Sequence, residues 1–190
     1  MKRIAVFASG EGTNAQRLME VFQADKEVSI SLIITNKPNA GVIKRGERMG
    51  VPVKVLPRAS FDDGTLLAIL KEAQIDFIVL AGFLLKISPE LVQAYPQRIV
   101  NIHPSLLPKY GGKGMYGGYV HAAVIAAGEK ESGITIHYVN EAYDEGAYIF
   151  QARCEVLSTD TPETLAARIH TLEYEHFPAV VDLLVKALPE

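Results

Sequence analysis

Cysteine is nearly absent: Cys154 is the only one in 190 residues. No intrachain disulfide and no cysteine metal cluster can form. That suits a reducing compartment and leaves Cys154 to be read as a packed strand residue. Long apolar runs are missing too. None approaches the roughly eighteen residues of a membrane span, and Ile4 to Ala8, after Met1-Lys2-Arg3, is too short for a signal-peptide core. A cytoplasmic protein without a membrane partner is expected. Nor does one sign of charge dominate. The chain has 19 Lys+Arg against 22 Asp+Glu, a formal charge of -3 and a pI near 6.0. The basic residues are scattered, so a nucleic-acid partner is not expected. What the chain does have is core material. At 48% hydrophobic, its 190 residues suffice for one sizeable core and are short for two, so residues 1–190 are expected to form a single domain.

Ile4 to Ala8 reads as a strand, Ser9 to Asn14 as a tight loop, and Leu18, Val21 and Phe22 recur at helical spacing. Strands are predicted over Val28–Thr35 and Val51–Leu56, and helices over Gly41–Met49 and Phe61–Gln74. Phe77 to Ala81 has no polar alternation, as in a central strand covered on both faces. Helices over Ser88–Tyr95 and Tyr119–Gly128 flank a strand at Ile99–His103. This alternation predicts an α/β fold, a doubly wound, mainly parallel Rossmann-like sheet. Beyond it, Ile134–Val139 and Tyr148–Val156 are joined by a turn-rich Asn140–Gly146 with no helix between, so an antiparallel addition is expected there. Thr161–Leu188 reads as a long terminal helix, with a bend expected at Pro178.

Two segments suggest chemistry. In Ser9-Gly10-Glu11-Gly12-Thr13-Asn14, unpaired backbone N–H groups and the positive end of a helix dipole gather where a phosphate is stabilised. The loop lacks the lysine of a Walker motif and the third glycine of a dinucleotide fingerprint. A phosphomonoester therefore fits better than a dinucleotide, the bland alternative being a glycine-rich turn with a Thr or Asn cap. Glu11 would repel a phosphate unless it turns away. The second segment is Asn101-Ile102-His103, where strand alternation puts the amide and the imidazole on one face. Asp144 follows the next strand. An amide donor, an imidazole and a carboxylate suit acyl transfer: they hold a developing oxyanion, move a proton and keep the imidazole oriented or charged. A buried carboxylate beside His103 is expected to favour the imidazolium.

These segments, together with Leu80-Ala81-Gly82-Phe83, Asn101 to Tyr110, Glu131 to His137, and Asp144-x-Gly146 with Ile149-x-Gln151, closely resemble the phosphoribosylglycinamide formyltransferases over nearly the whole chain. The resemblance implies formyl transfer from 10-formyltetrahydrofolate, as co-substrate, to the amine of a phosphoribosylglycinamide, with no metal. The first half would bind phosphate and the second half would bind folate and carry the catalytic residues. Asn101, His103 and Asp144 would be catalytic. Gly12, Thr13 and Asn14 would hold the phosphate, and Glu173 the sugar. Phe83, Leu84, Leu85, Lys86 and Ile87 would line the pterin slot with Asn140, Glu141, Ala142 and Tyr143, largely through main-chain groups. There are departures. Many members carry a basic residue two positions past the phenylalanine, where this chain has Leu85, with Lys86 next. Glu11 stands where small or neutral residues are frequent, and His170 where other polar residues occur.

Related readings reuse the same triplet. Formyltetrahydrofolate hydrolase and methionyl-tRNA formyltransferase normally carry further domains, for which the chain length leaves no room, and a non-catalytic nucleotide-binding module would bind a dinucleotide without turnover. Among the remaining histidines, His137 is read as structural support or as orienting the Asp144 loop. His121 follows a glycine-rich loop, 111–118, expected to shape the substrate cleft. His170 and His176 read as surface or packing residues, although His170 shares a helical face with Glu173. The sequence does not set the oligomeric state.

Overall fold

The structure, a computed structural model, describes residues 1–189. Seven strands form one sheet in the order β3-β2-β1-β4-β5-β6-β7: β1 (Lys2–Phe7), β2 (Val28–Thr35), β3 (Val53–Val55), β4 (Phe77–Leu80), β5 (Ile99–His103), β6 (Glu131–Tyr138) and β7 (Tyr148–Glu155). β3 through β5 run parallel, and β6 and β7 pair antiparallel. The helices are α1 (Thr13–Phe22), α2 (Gly41–Met49), α3 (Thr65–Glu72), α4 (Pro89–Ala94), α5 (Gly118–Ala126) and α6 (Pro162–Lys186).

Two apolar layers cover the sheet. On one face, Ile4, Val6, Val79, Val100, Ile102 and Ile136 pack with Leu18, Val124, Ile169 and Phe177 of α1, α5 and α6. On the other, Ala5, Phe7, Ile78, Leu80 and Ile99 pack with Leu66, Leu70 and Leu91 of α3 and α4. Phe77 to Leu80 is buried throughout, as its unbroken apolar character predicts. The doubly wound sheet, its antiparallel extension and the long terminal helix are all present, and among the described residues no helix is long and apolar enough to cross a membrane.

Some boundaries differ from the sequence-based expectation. The helix predicted from Phe61 begins at Thr65, preceded by a 3-10 turn over Arg58–Phe61. Asp63 accepts a hydrogen bond from the Thr65 N–H, and Gly64 is left-handed at φ 83°, so local turn chemistry delays the helix. β6 starts at Glu131, before the predicted Ile134, because Gly133 lies flat against β7, where a Cβ would come within 2.0 Å of the Ala152 carbonyl oxygen. α6 continues unbroken through the buried Pro178.

The first three strands step outward from β1 in one direction, and β4 and β5 continue in the other. The carboxyl ends of β1 and β4 therefore flank a topological switch point, the place where open α/β sheets bind ligands.

Candidate active site

A cleft of about 780 Å³ opens at that edge. Its walls come from the loops after β1, β4 and β5, from 112–118, from the segment after β6, and from α5 and α6.

At its centre, β5 and β6 pair so that Asn101 lies opposite His137 and His103 opposite Thr135. Alternation puts these four on the sheet face away from Ile102 and Ile136. The loop after β6 then folds back, with Asp144 left-handed at φ 56° and Gly146 pressed so close that a Cβ would meet the Tyr138 carbonyl oxygen at 1.7 Å. Only glycine permits that return. It brings Asp144 Oδ2 to 3.5 Å from His103 Nδ1 and Oδ1 to 3.5 Å from His137 Nε2. The Gly112 N–H donates to Oδ2 at 2.9 Å.

The hydrogen bonds assign proton positions. His103 Nε2 lies 2.7 Å from the Tyr110 carbonyl oxygen, so that nitrogen carries a proton and Nδ1 faces the carboxylate. His137 Nδ1 lies 2.9 Å from the Tyr138 carbonyl oxygen, and Nε2 faces both Asn101 Nδ2 at 3.1 Å and Asp144 Oδ1 at 3.5 Å. The second Asn101 N–H reaches Asp144 Oδ1 at 3.4 Å, a long, weak contact.

Burial pushes the His103 imidazole below its ordinary pKa, against the opposing effects of Asp144 and the Tyr110 carbonyl. Asp144 thus favours the imidazolium as expected, and burial works against it. The His103 side chain is 5% exposed, and removing water from the charged form costs more than a carboxylate at 3.5 Å returns. Burial also pushes Asp144 up, but His137, the charge His103 can carry and the Gly112 N–H outweigh it and hold the carboxyl below its usual range.

At the other end, α1 begins after Gly12, left-handed at φ 74°, with no side-chain cap. Gln16 N–H already bonds the Gly12 carbonyl, so the N–H groups of the preceding turn face the cleft mouth. Glu11 does turn away: its carboxylate packs against Gly41 at the start of α2, where the helix dipole favours an anion. Asn14 Nδ2 donates to Glu173 Oε2 at 2.9 Å and His170 Nδ1 to the same oxygen at 2.7 Å. That bond raises the His170 pKa against partial burial. Asn14 Oδ1 is buried without a hydrogen-bond partner among the described residues. So is Nδ1 of His121 on α5, whose pKa burial pushes down despite Glu173.

The third wall is apolar. Phe83 packs on Phe7 and Phe61 with ring centroids 5.4 and 5.3 Å away, and the Leu84 N–H is fixed on Ser9 Oγ at 2.9 Å. Phe83, Leu84, Leu85, Lys86 and Ile87 all line the cleft, as do Asn140, Ala142 and Tyr143. Glu141 does not: it is exposed, outside the lining, because the turn begun by Asn140 Oδ1 accepting from the Ala142 N–H points it outward. The glycine-rich loop contributes Gly112, Gly114, Met115 and Gly117.

His137 is the residue that sequence reasoning undervalued. Its signal was the antiparallel register, which makes the residue two past Thr135 face Asn101.

The model of the formyl transferase family matches residues 2–181. A chloroplastic phosphoribosylglycinamide formyltransferase of Arabidopsis thaliana is 44% identical over 95% of this chain, which spans 64% of that protein. The chain likewise spans 61% of the relative of the same name from Vigna unguiculata, less than two thirds in both cases. The phosphoribosylglycinamide formyltransferase of Bacillus subtilis is 36% identical, with 97% of this chain and 95% of that protein covered. Among solved structures, that of the phosphoribosylglycinamide formyltransferase from Bacillus halodurans superposes with TM-score 0.89 at 39% identity, covering 98% of this chain and 97% of the other.

Proposed function

The chain belongs to the formyl transferase family, and on that premise we propose that it transfers the formyl group of 10-formyltetrahydrofolate to the amine of 5'-phosphoribosylglycinamide. The products are the N-formyl ribonucleotide and tetrahydrofolate, a step of purine biosynthesis in the cytoplasm. The observation that carries this reading is one cleft holding the Asn101, His103, Asp144 cluster between an uncapped helix terminus and an apolar slot.

The cleft fits both substrates. An extended aromatic donor suits the wall of Phe83, Ile87 and Val139, and the polar edge of its ring suits the main-chain groups of 83–87 and 140–143. At the opposite end the phosphate sits on the N–H groups of Thr13 and Asn14. Both protein hydrogen bonds of Glu173 fall on Oε2, so Oε1 is the atom offered to a ribose hydroxyl.

Between them, attack of the amine on the formyl carbon places negative charge on the formyl oxygen. Asn101 exchanges its 3.4 Å contact with Asp144 for this stronger, charged acceptor, and such a donor typically contributes about 10²- to 10³-fold in rate. His103, neutral at rest, takes the proton the amine must lose. The imidazolium so formed lies between the Tyr110 carbonyl and Asp144, both of which favour it, and it returns the proton to the departing folate nitrogen. Asp144 thus acts on the charged state of His103.

The test is to supply 10-formyltetrahydrofolate with and without the ribonucleotide and follow tetrahydrofolate release. Release is expected only with the ribonucleotide. Release that does not depend on it would identify a hydrolase and overturn the assignment.

A further inference from the structure

Gln151 belongs to a sequence motif that the mechanism above leaves unused, and Thr135 is a fully buried hydroxyl on the reactive face of β6. Both lie beneath the segment Pro104 to Tyr110, whose last carbonyl receives the His103 Nε2 proton at 2.7 Å. That carbonyl belongs to a loop residue in the left-handed region, Tyr110 at φ 57°, so something outside the strand must set its direction. Thr135 Oγ1 donates to the Ser105 carbonyl at 2.7 Å and accepts from the Leu107 N–H at 3.0 Å and from Gln151 Nε2 at 2.9 Å. One donor and two acceptors are the full capacity of a hydroxyl. Gln151 Nε2 also reaches the Leu107 carbonyl at 3.2 Å, and Ser105 Oγ donates to the Lys109 carbonyl at 2.7 Å, one residue before Tyr110.

We propose that Thr135, braced by Gln151, is a positioning residue for the transfer reaction: it fixes the Pro104–Tyr110 loop so that the Tyr110 carbonyl holds the His103 ring in its reactive orientation. The proposal rests on the formyl-transfer reading. It accounts for two polar side chains that line up under the loop without entering the cleft. Thr135 acts through backbone, and its partner in the pairing is His103 itself. The groups facing His103 are Asp144 from the loop after β6, His137 from β6, Glu173 from α6 and, across the cleft, His121 from α5. Thr135 touches none of them, so its effect on the imidazole runs through the Tyr110 carbonyl.

Thr135→Val keeps the shape and removes the hydroxyl, while Thr135→Ser keeps the hydroxyl. In the ribonucleotide-dependent assay, Thr135→Val is expected to lower kcat by about 10²-fold, the scale of an ångström-sized misplacement. KM for both substrates should change less than about threefold, since the slot and the phosphate seat are built elsewhere. The Tyr110 carbonyl favours the protonated ring, so losing it should move the acid limb of the kcat/KM profile to lower pH. Thr135→Ser should restore both kcat and the limb. A Thr135→Val enzyme with its acid limb in place, or with KM raised as much as kcat is lowered, overturns the proposal. If that variant does not fold, Gln151→Met decides: a smaller shift of the limb in the same direction supports the bracing role, and an unmoved limb overturns it. Formyl transfer by the unsubstituted chain in the same assay separates failure of this proposal from failure of the functional reading.

Discussion

The two ends of the cleft are built by opposite means. At the centre, four side chains from adjacent strands and one returning loop approach one another at 3.1–3.5 Å, and strand register together with that loop's return determines who faces whom. At the end proposed to seat the phosphate, the groups come from α1 and α6, joined by a hydrogen bond between residues 159 apart in sequence, and the donors on offer are backbone N–H groups. The first arrangement is buried, with the His103 and His137 side chains 5% and 3% exposed, so desolvation weighs on its energetics. The second joins a buried Glu173 carboxylate to a His170 side chain that is 47% exposed, so water screens the histidine's side of the pair. A side-chain change should therefore alter catalysis at the centre and binding at the rim.

The largest expected break in that contrast is Asp144→Asn. Turnover should fall by about 10²- to 10⁴-fold, the range of a general acid–base contribution, while calorimetric affinity for the ribonucleotide stays within a few-fold. The pH profile carries a sign. Asp144 raises the His103 pKa against burial, so its loss should move the acid limb of kcat/KM further down in pH. Near-normal turnover would sink the proposed pairing.

Gly12→Ala tests whether the rim is as tolerant as it looks, and it should not be. The residue is left-handed at φ 74°, and a Cβ there would sit 2.5 Å from Val42 Cβ and 2.8 Å from its Cα. A stability loss of about 1–3 kcal/mol in thermal or urea unfolding should accompany weaker ribonucleotide binding. Unchanged stability with lost binding would mean that α2 yields readily. Substitution of Gly12 is thus a poor probe of the phosphate alone.

The smallest effect should come from Glu173→Gln, which sharpens the contrast by acting on binding more than on turnover. Ribonucleotide KM should rise about tenfold, the scale of one hydrogen bond to a charged group, with kcat and folate KM little changed. Glu173 raises the His170 pKa, so NMR titration should find the His170 midpoint lower in the variant. A folded pKa above the unfolded one means the pair stabilises fully below the ordinary histidine pKa, and its contribution is lost as pH rises through the folded value. No movement of that midpoint would show that the pair does not form in solution.

Much of the centre was legible because β structure has a period of two. Asn101 and His103 share a face for that reason, and the turn-rich 140–146 announced a return. His137 was harder to see, since its importance lies in pairing with another strand, and alternation within one strand does not reveal its partner. The lowering of the His103 pKa was not legible, because the sequence shows a carboxylate nearby but not the loss of water. At the rim, the glycine loop was visible, whereas Glu11 leaning on α2 and Glu141 turning out of the slot depend on contacts absent from any local pattern.

By itself, the sequence determined the doubly wound order of strands and helices, the antiparallel tail and the candidate trio Asn101, His103 and Asp144, because apolar periodicity and turn residues act over a few positions. Only the tertiary structure decided that burial opposes charging of His103, that His137 joins Asn101 and Asp144, and that Thr135 and Gln151 hydrogen-bond the loop after β5. Those outcomes depend on burial and on distances between remote segments, and desolvation has no value until the chain has closed around the group.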